Sequence, residues 1–330
     1  MAVSIEDIKK LRAMTGAGLA DVKKALTEAE GDFDKAKELL RERGLAIAAK
    51  RSDRETSNGC VLVKKVNDFA AIIALKCETD FVANGADFIK LTSDILDAAI
   101  AAKAHTLDEV KALKVGESDA QSAVTQRSGI TGEKMELDGY CVLEGDNIEV
   151  YDHMNKHTLC TMVQLNENNA EAGHKVAMQV AAMRPVALDE SSVSEETKKT
   201  ELEVAVAKTK EELVEKAVNA ALKKAGINQL TLTLRITSRA TPRRLVDPEQ
   251  AEEARNIKKT VGEEKAASLN PTMIQNIANG RLAKFFKENC LVDQEFQFGD
   301  GDKQTVAQYL ASQSKDLKIV AYQRFTLAAE

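Results

Sequence analysis

Tryptophan is absent from this 330-residue chain, and aromatic residues make up only 4% of it. Its interiors must therefore be built from Ala, Val, Leu and Ile. Proline is nearly as scarce: Pro185, Pro242, Pro248 and Pro271 are the full set, and the chain outside 185–271 has none. No run approaches the ~18 apolar residues of a membrane-spanning helix, and the start "MAVSIEDIKK" carries no apolar signal core, so the expectation is a cytoplasmic protein, or an organellar one already processed. Positive charge is not in excess. Lys and Arg number 46 against 52 Asp and Glu, a formal charge of −6, which argues against nucleic acid as the main partner. The five cysteines are odd in number and scattered. Cys60, Cys77 and Cys160 lie in or at the end of apolar runs, as small buried side chains in a reducing compartment would.

Recognisable catalytic constellations are missing too. No glycine-rich loop runs into Lys-Ser/Thr, and with four histidines no Ser-His-Asp arrangement emerges from spacing. One cluster has metal-like spacing: His153, His157 and Cys160, with Cys141 upstream. The same stretch, "YDHMNKHTLC", also reads as strand, turn, strand, which sets the two histidines at a hairpin loop and Cys160 in a sheet. Acidic pairs such as Glu195/Glu196 and Glu252/Glu253 fall on charged helical stretches and read as solvated faces.

What is present is a clear alternation of periods. Ile5, Ile8 and Leu11, then Leu19, Val22, Ala25 and Leu26, then Phe33, Ala36, Leu39 and Leu40 give three short amphipathic helices, with Ser4 and Asp32 as caps. They predict a three-helix module over 1–54, ending in the charged linker Lys50 to Gly59. "CVLVKKV" and "AAIIALKC" around a short turn read as an antiparallel hairpin, followed by a helix on Phe88, Leu91, Ile95 and Ala99; this block is assigned 55–138. "GYCVLEG", "NIEVYDH" and "LCTMVQL", then a helix on Val176, Ala177 and Val180, repeat the scheme and suggest one α+β unit used twice. The second unit is assigned 139–187 and 268–330. A helical insertion, 188–267, lies within it, with a long helix capped by Ser192 and Glu195, a second helix near 248–266, and a small β element at Leu230 to Ile236. The fold class is α+β.

The junction "LKCETDFVANGADF" poses the functional question. Asp80 and Phe81 sit where a strand stops and a helix starts. Asp80 suits a helix cap and Phe81 suits burial; equally, both suit a loop offered to another protein.

Three segments carry a resemblance. "LRAMTGAGLADVKKALTEAEGDFDKAKELLRERG", Leu11 to Gly44, resembles the ubiquitin-associated-like N-terminal module of the elongation factor Ts family. "CETDFVAN", Cys77 to Asn84, is similar to that family's signature, and "KVAMQVAAMRP", Lys175 to Pro185, to its later helix. The likeness covers about 1–185 and 270–330, the stretch between being a larger insert than in compact members. The resemblance implies a guanine-nucleotide exchange factor, not an enzyme, with no cofactor of its own. Its partner would be elongation factor Tu, GDP-bound or nucleotide-free, with no nucleic acid or membrane. It implies that Thr79, Asp80, Phe81 and Val82 form the element that dislodges Mg²⁺ from Tu, and that Phe81 wedges between apolar side chains there. It implies further contacts at Gly18, Leu19 and Ala20, and at Lys175 and Gln179, where relatives carry histidines. The alternatives are a ubiquitin-associated-like adaptor or scaffold unconnected to translation, and a metal hydrolase around His153 and His157.

Overall fold

The computed structural model describes residues 3–15, 17–51, 53–227, 248–299 and 303–328. Two compact units emerge: 1–185 with 295–330, and 186–294.

The first unit opens with α1 (Ile5–Thr15), α2 (Leu19–Glu28) and α3 (Phe33–Ala49). Leu11, Val22, Ala25, Leu26 and Ala36 are buried at their shared centre, as the stripes predict. Asp32 caps α3 by accepting from the backbone N–H groups of Asp34 and Lys35. The charged stretch after α3 is not a free tether. Toward its C-terminal end α3 crosses α7 (Ala120–Thr131) so closely that a Cβ on Gly129 would lie 2.3 Å from the Gly44 Cα. Only glycine at position 129 allows that approach.

β1 (Asn58–Val66) and β2 (Phe69–Cys77) form the expected hairpin, and β5 (Met135–Glu144) pairs on the other side of β2, all antiparallel. "GYCVLEG", expected to open the second α+β unit, does not. It instead belongs to β5 and completes the first sheet, so a boundary at 138/139 would cut a strand. β2 explains its own unbroken apolar run. Phe69, Ala71, Ile73, Leu75 and Cys77 face α5 (Ala86–Ala101), while Ala70, Ile72 and Ala74 face a second sheet. That sheet is β6 (Ile148–Asp152), β7 (Leu159–Leu165) and β8 (Ile319–Thr326), with β7 central. Its Ile148, Cys160 and Met162 close the core against β2. Where the sheets meet, the Phe325 ring lies 2.2 Å from where a Cβ on Gly139 would be, which excludes any side chain there. α8 (Ala170–Met183) covers the outer face of the second sheet, tied to β7 by the Thr161 hydroxyl donating to the Ala177 carbonyl at 2.9 Å.

The second unit contains α9 (Glu195–Lys224), α10 (Pro248–Ala267) and α11 (Pro271–Asn289). Both α10 and α11 pack on α9. Its extent differs from the insertion 188–267: α11 sits with α9 rather than with the second sheet, and Arg281 pairs with Glu212 at 2.6 Å. The cap of α9 is Ser194, which accepts from the Thr197 N–H, while Ser192 ends a short turn capped by Asp189. The buried line of α9 is Ala205, Thr209, Val218 and Leu222. The β element expected at Leu230 to Ile236 lies outside the described residues.

Candidate partner-binding site

At the end of β2 the chain enters a single helical turn, α4 (Asp80–Ala83), held from several sides. Burial pushes the Cys77 thiol up to about 12, so it stays protonated and donates to the Thr79 carbonyl at 3.2 Å. The Glu78 carboxylate accepts from the Lys134 backbone N–H at 2.6 Å and from Arg54 at 2.8 Å, with Arg51 at 3.6 Å. The Lys134 bond foremost, then the two arginines, hold its carboxyl below the ordinary glutamate value. Thr79, not Asp80, is the helix cap: its hydroxyl accepts from the Val82 N–H at 3.4 Å. Glu133 then grips Thr79 twice, accepting from its hydroxyl at 2.7 Å and its backbone N–H at 3.1 Å. The Asp80 carbonyl accepts from Asn84 through both backbone and side chain, at 2.9 Å each. Gly85 closes the turn with an N–H donated to Val82 and becomes the cap of α5.

Within this turn the four signature side chains divide. Ala83 is buried and Val82 packs against the core beneath the first sheet. Asp80 is exposed, and Phe81 stands 87% exposed. Own-core burial, one of the two readings open for Phe81, is excluded. Phe81 contributes nothing to the chain's own core, whereas Val82 and Ala83 do.

The other expected residues fare differently. Gly18 caps α2 in an extended conformation, and Gly18, Leu19 and Ala20 are all exposed, Leu19 by 58%. Lys175 on α8 pairs with Glu171 at 2.9 Å and lies over the Tyr309 ring at 5.9 Å, so it is engaged within the fold. Gln179 requires correction. It is fully buried, donating to the Glu295 carbonyl at 3.1 Å and accepting from the Gln297 N–H at 3.0 Å. Its amide ties α8 to the returning chain, inside the fold and away from the surface. The residues of the metal alternative are engaged elsewhere in the fold. His157 is held by Asp152 at 2.5 Å, His153 contacts the Tyr151 hydroxyl at 3.1 Å, and Cys160 is buried with its thiol on the Val61 carbonyl. Among the described residues no three His, Cys, Asp or Glu side chains gather to hold a metal. Also among them, no helix is long and apolar enough to cross a membrane.

Glu133 and Glu78 were missed as site residues. Each acts across more than fifty residues of chain, a separation at which no periodicity signals a contact.

Comparison with known proteins bears on the same stretch. The model of the family described as Elongation factor TS matches residues 78–234 and 236–329. Curated relatives named Elongation factor Ts align over their whole length and the whole of this chain: 57% identical in Bacteroides fragilis, 55% in Parabacteroides distasonis and 39% in Porphyromonas gingivalis. Those alignments include the 186–294 unit, so the large insert is common to these relatives. They also remove the adaptor alternative unconnected to translation. The matched residues include the clamped turn that exposes Phe81, and the chain belongs to the elongation factor Ts family, with a role in translation elongation.

Proposed function

We propose that the chain is the guanine-nucleotide exchange factor of elongation factor Tu, acting in the cytoplasm on the GDP-bound form and remaining on the nucleotide-free one. The observation that carries this reading is Phe81, 87% exposed on a turn whose backbone is pinned by Thr79, Glu133 and Asn84. Phe81 inserts among apolar side chains of the Tu GTPase domain, with Asp80 beside it. The insertion displaces the elements that hold Mg²⁺. Mg²⁺ offsets diphosphate charge, so its loss weakens GDP binding. The exposed Gly18–Leu19–Ala20 segment supplies a second contact. Domain boundaries follow the same logic: 1–54 is a Tu-contacting module docked through Gly44 and Gly129 on the core that carries the wedge.

The chain makes and breaks no bond. Factor and GDP each weaken the other's binding to Tu by the same free energy, so release accelerates without a change in the final nucleotide balance. The test is stopped-flow release of labelled GDP from cognate Tu with and without the chain. Acceleration that saturates with factor is expected. Equal rates would overturn the reading.

A further inference from the structure

Glu133 has no part in the family signature, yet it makes two hydrogen bonds to the residue that caps the Phe81 turn. Its own backbone is fixed on both sides. The Glu133 N–H donates to the Thr131 hydroxyl at 3.3 Å, and its carbonyl accepts from the Ser128 hydroxyl at 2.5 Å. Gly132 ends α7 with a φ of 71°, a left-handed conformation that turns the chain so that Glu133 faces Thr79. The arrangement is reciprocal. Glu133 accepts from the backbone of Thr79, and Glu78 accepts from the backbone of Lys134, so two neighbouring residues in each segment exchange carboxylate bonds. Carboxylate acceptors make stronger bonds than neutral ones. The staple joins the end of β2 to the start of β5, next to a pair of strands already in register through Cys77 and Met135. It therefore extends the rigid sheet to the cap of the exposed turn.

We propose that Glu133, supported by Glu78, is a positioning residue for exchange. It preorganises the turn so that Phe81 is presented before Tu arrives, and binding energy is not consumed in ordering it. This rests on the exchange reading above, but the staple itself can be measured in the free protein.

The experiment has two arms. In the first, hydrogen exchange is followed in the free chain for wild type, Glu133→Ala and Glu133→Gln. The amides of 79–85 should exchange roughly tenfold faster in Glu133→Ala, as expected for loss of a charge-assisted bond, while the central amides of β2 and β5 stay protected. Glu133→Gln keeps the shape and one acceptor and should fall between. It also serves if the alanine variant fails to fold. Unchanged exchange at 79–85 in the folded variants would overturn the proposal.

In the second arm, the maximal rate of GDP release at saturating factor is measured for wild type, Glu133→Gln, Phe81→Ala and the double variant. Glu133→Gln should slow wild-type factor several-fold. It should change the Phe81→Ala background by less than about twofold, because a holder without its ring has nothing to present. Equal slowing in both backgrounds would show that Glu133 acts through the general fold, and would overturn the positioning role. Thr79→Val, which removes the hydroxyl that Glu133 holds, should resemble Glu133→Gln. If wild-type factor does not accelerate release at all, the exchange reading falls and the first arm alone decides whether the staple orders the turn.

Discussion

Replacing Phe81 with alanine separates folding from partner contact more cleanly than any other change in the chain. The ring is 87% exposed, so removing it leaves no cavity and costs the fold almost nothing. Alanine is also the better helix former, by up to ~0.7 kcal/mol, at a position inside α4. Stability should stay within about 0.5 kcal/mol of wild type, as for surface changes in general. The consequence for Tu is different. Burying a whole phenylalanine side chain contributes roughly 1.5–3 kcal/mol. With 87% of the ring available to a partner, about 1.3–2.6 kcal/mol is at stake, or roughly ten- to eighty-fold in the rate of GDP release. The assay pairs a thermal melt with stopped-flow release at saturating factor. A melt lowered by many degrees, together with normal exchange per folded molecule, would refute the reasoning, because it would make Phe81 a structural residue and not a wedge.

Chelation tests the ion. Excess EDTA should speed GDP release from Tu alone and narrow the gap between wild type and Phe81→Ala, and an unchanged ratio would point to a route other than Mg²⁺ displacement. Glycine replacements test the helix crossing. Gly129→Ala places a Cβ 2.3 Å from the Gly44 backbone and should destabilise by ~1–3 kcal/mol in calorimetry, whereas Gly280→Ala, on α11 with nothing within 4 Å, should stabilise by up to about 1 kcal/mol. If both move stability the same way, the crossing is not tight. Gln179→Leu leaves the Gln297 N–H without its acceptor, takes one of two donors from the Glu295 carbonyl, and should cost ~1–3 kcal/mol of stability in denaturant titration. A loss of Tu affinity at unchanged stability would instead return Gln179 to the interface.

Local patterns by themselves determined a good deal of this protein. The three N-terminal stripes specify α1, α2 and α3, because a 3.6-residue period and a cap such as Asp32 act within one or two turns. The β1–β2 hairpin is equally local, its two strands joined through Asn67 and Asp68. The signature at Cys77 to Asn84 marked the α4 turn because that turn is built from consecutive residues. Tertiary structure decided the rest. Whether Phe81 is core or surface depends on which side of α4 faces the sheet, and Val82 and Ala83 take that side. The partner of β2 is β5, more than fifty residues on, and nothing in "GYCVLEG" distinguishes joining the first sheet from starting the second. Gln179 carries the same ambiguity. A polar residue on an amphipathic helix reads as exposed until a returning loop places a carbonyl and an N–H against it. Glu133 and Thr79 meet only because the chain leaving α7 returns beside the end of β2, a contact set by packing across fifty-four residues of chain.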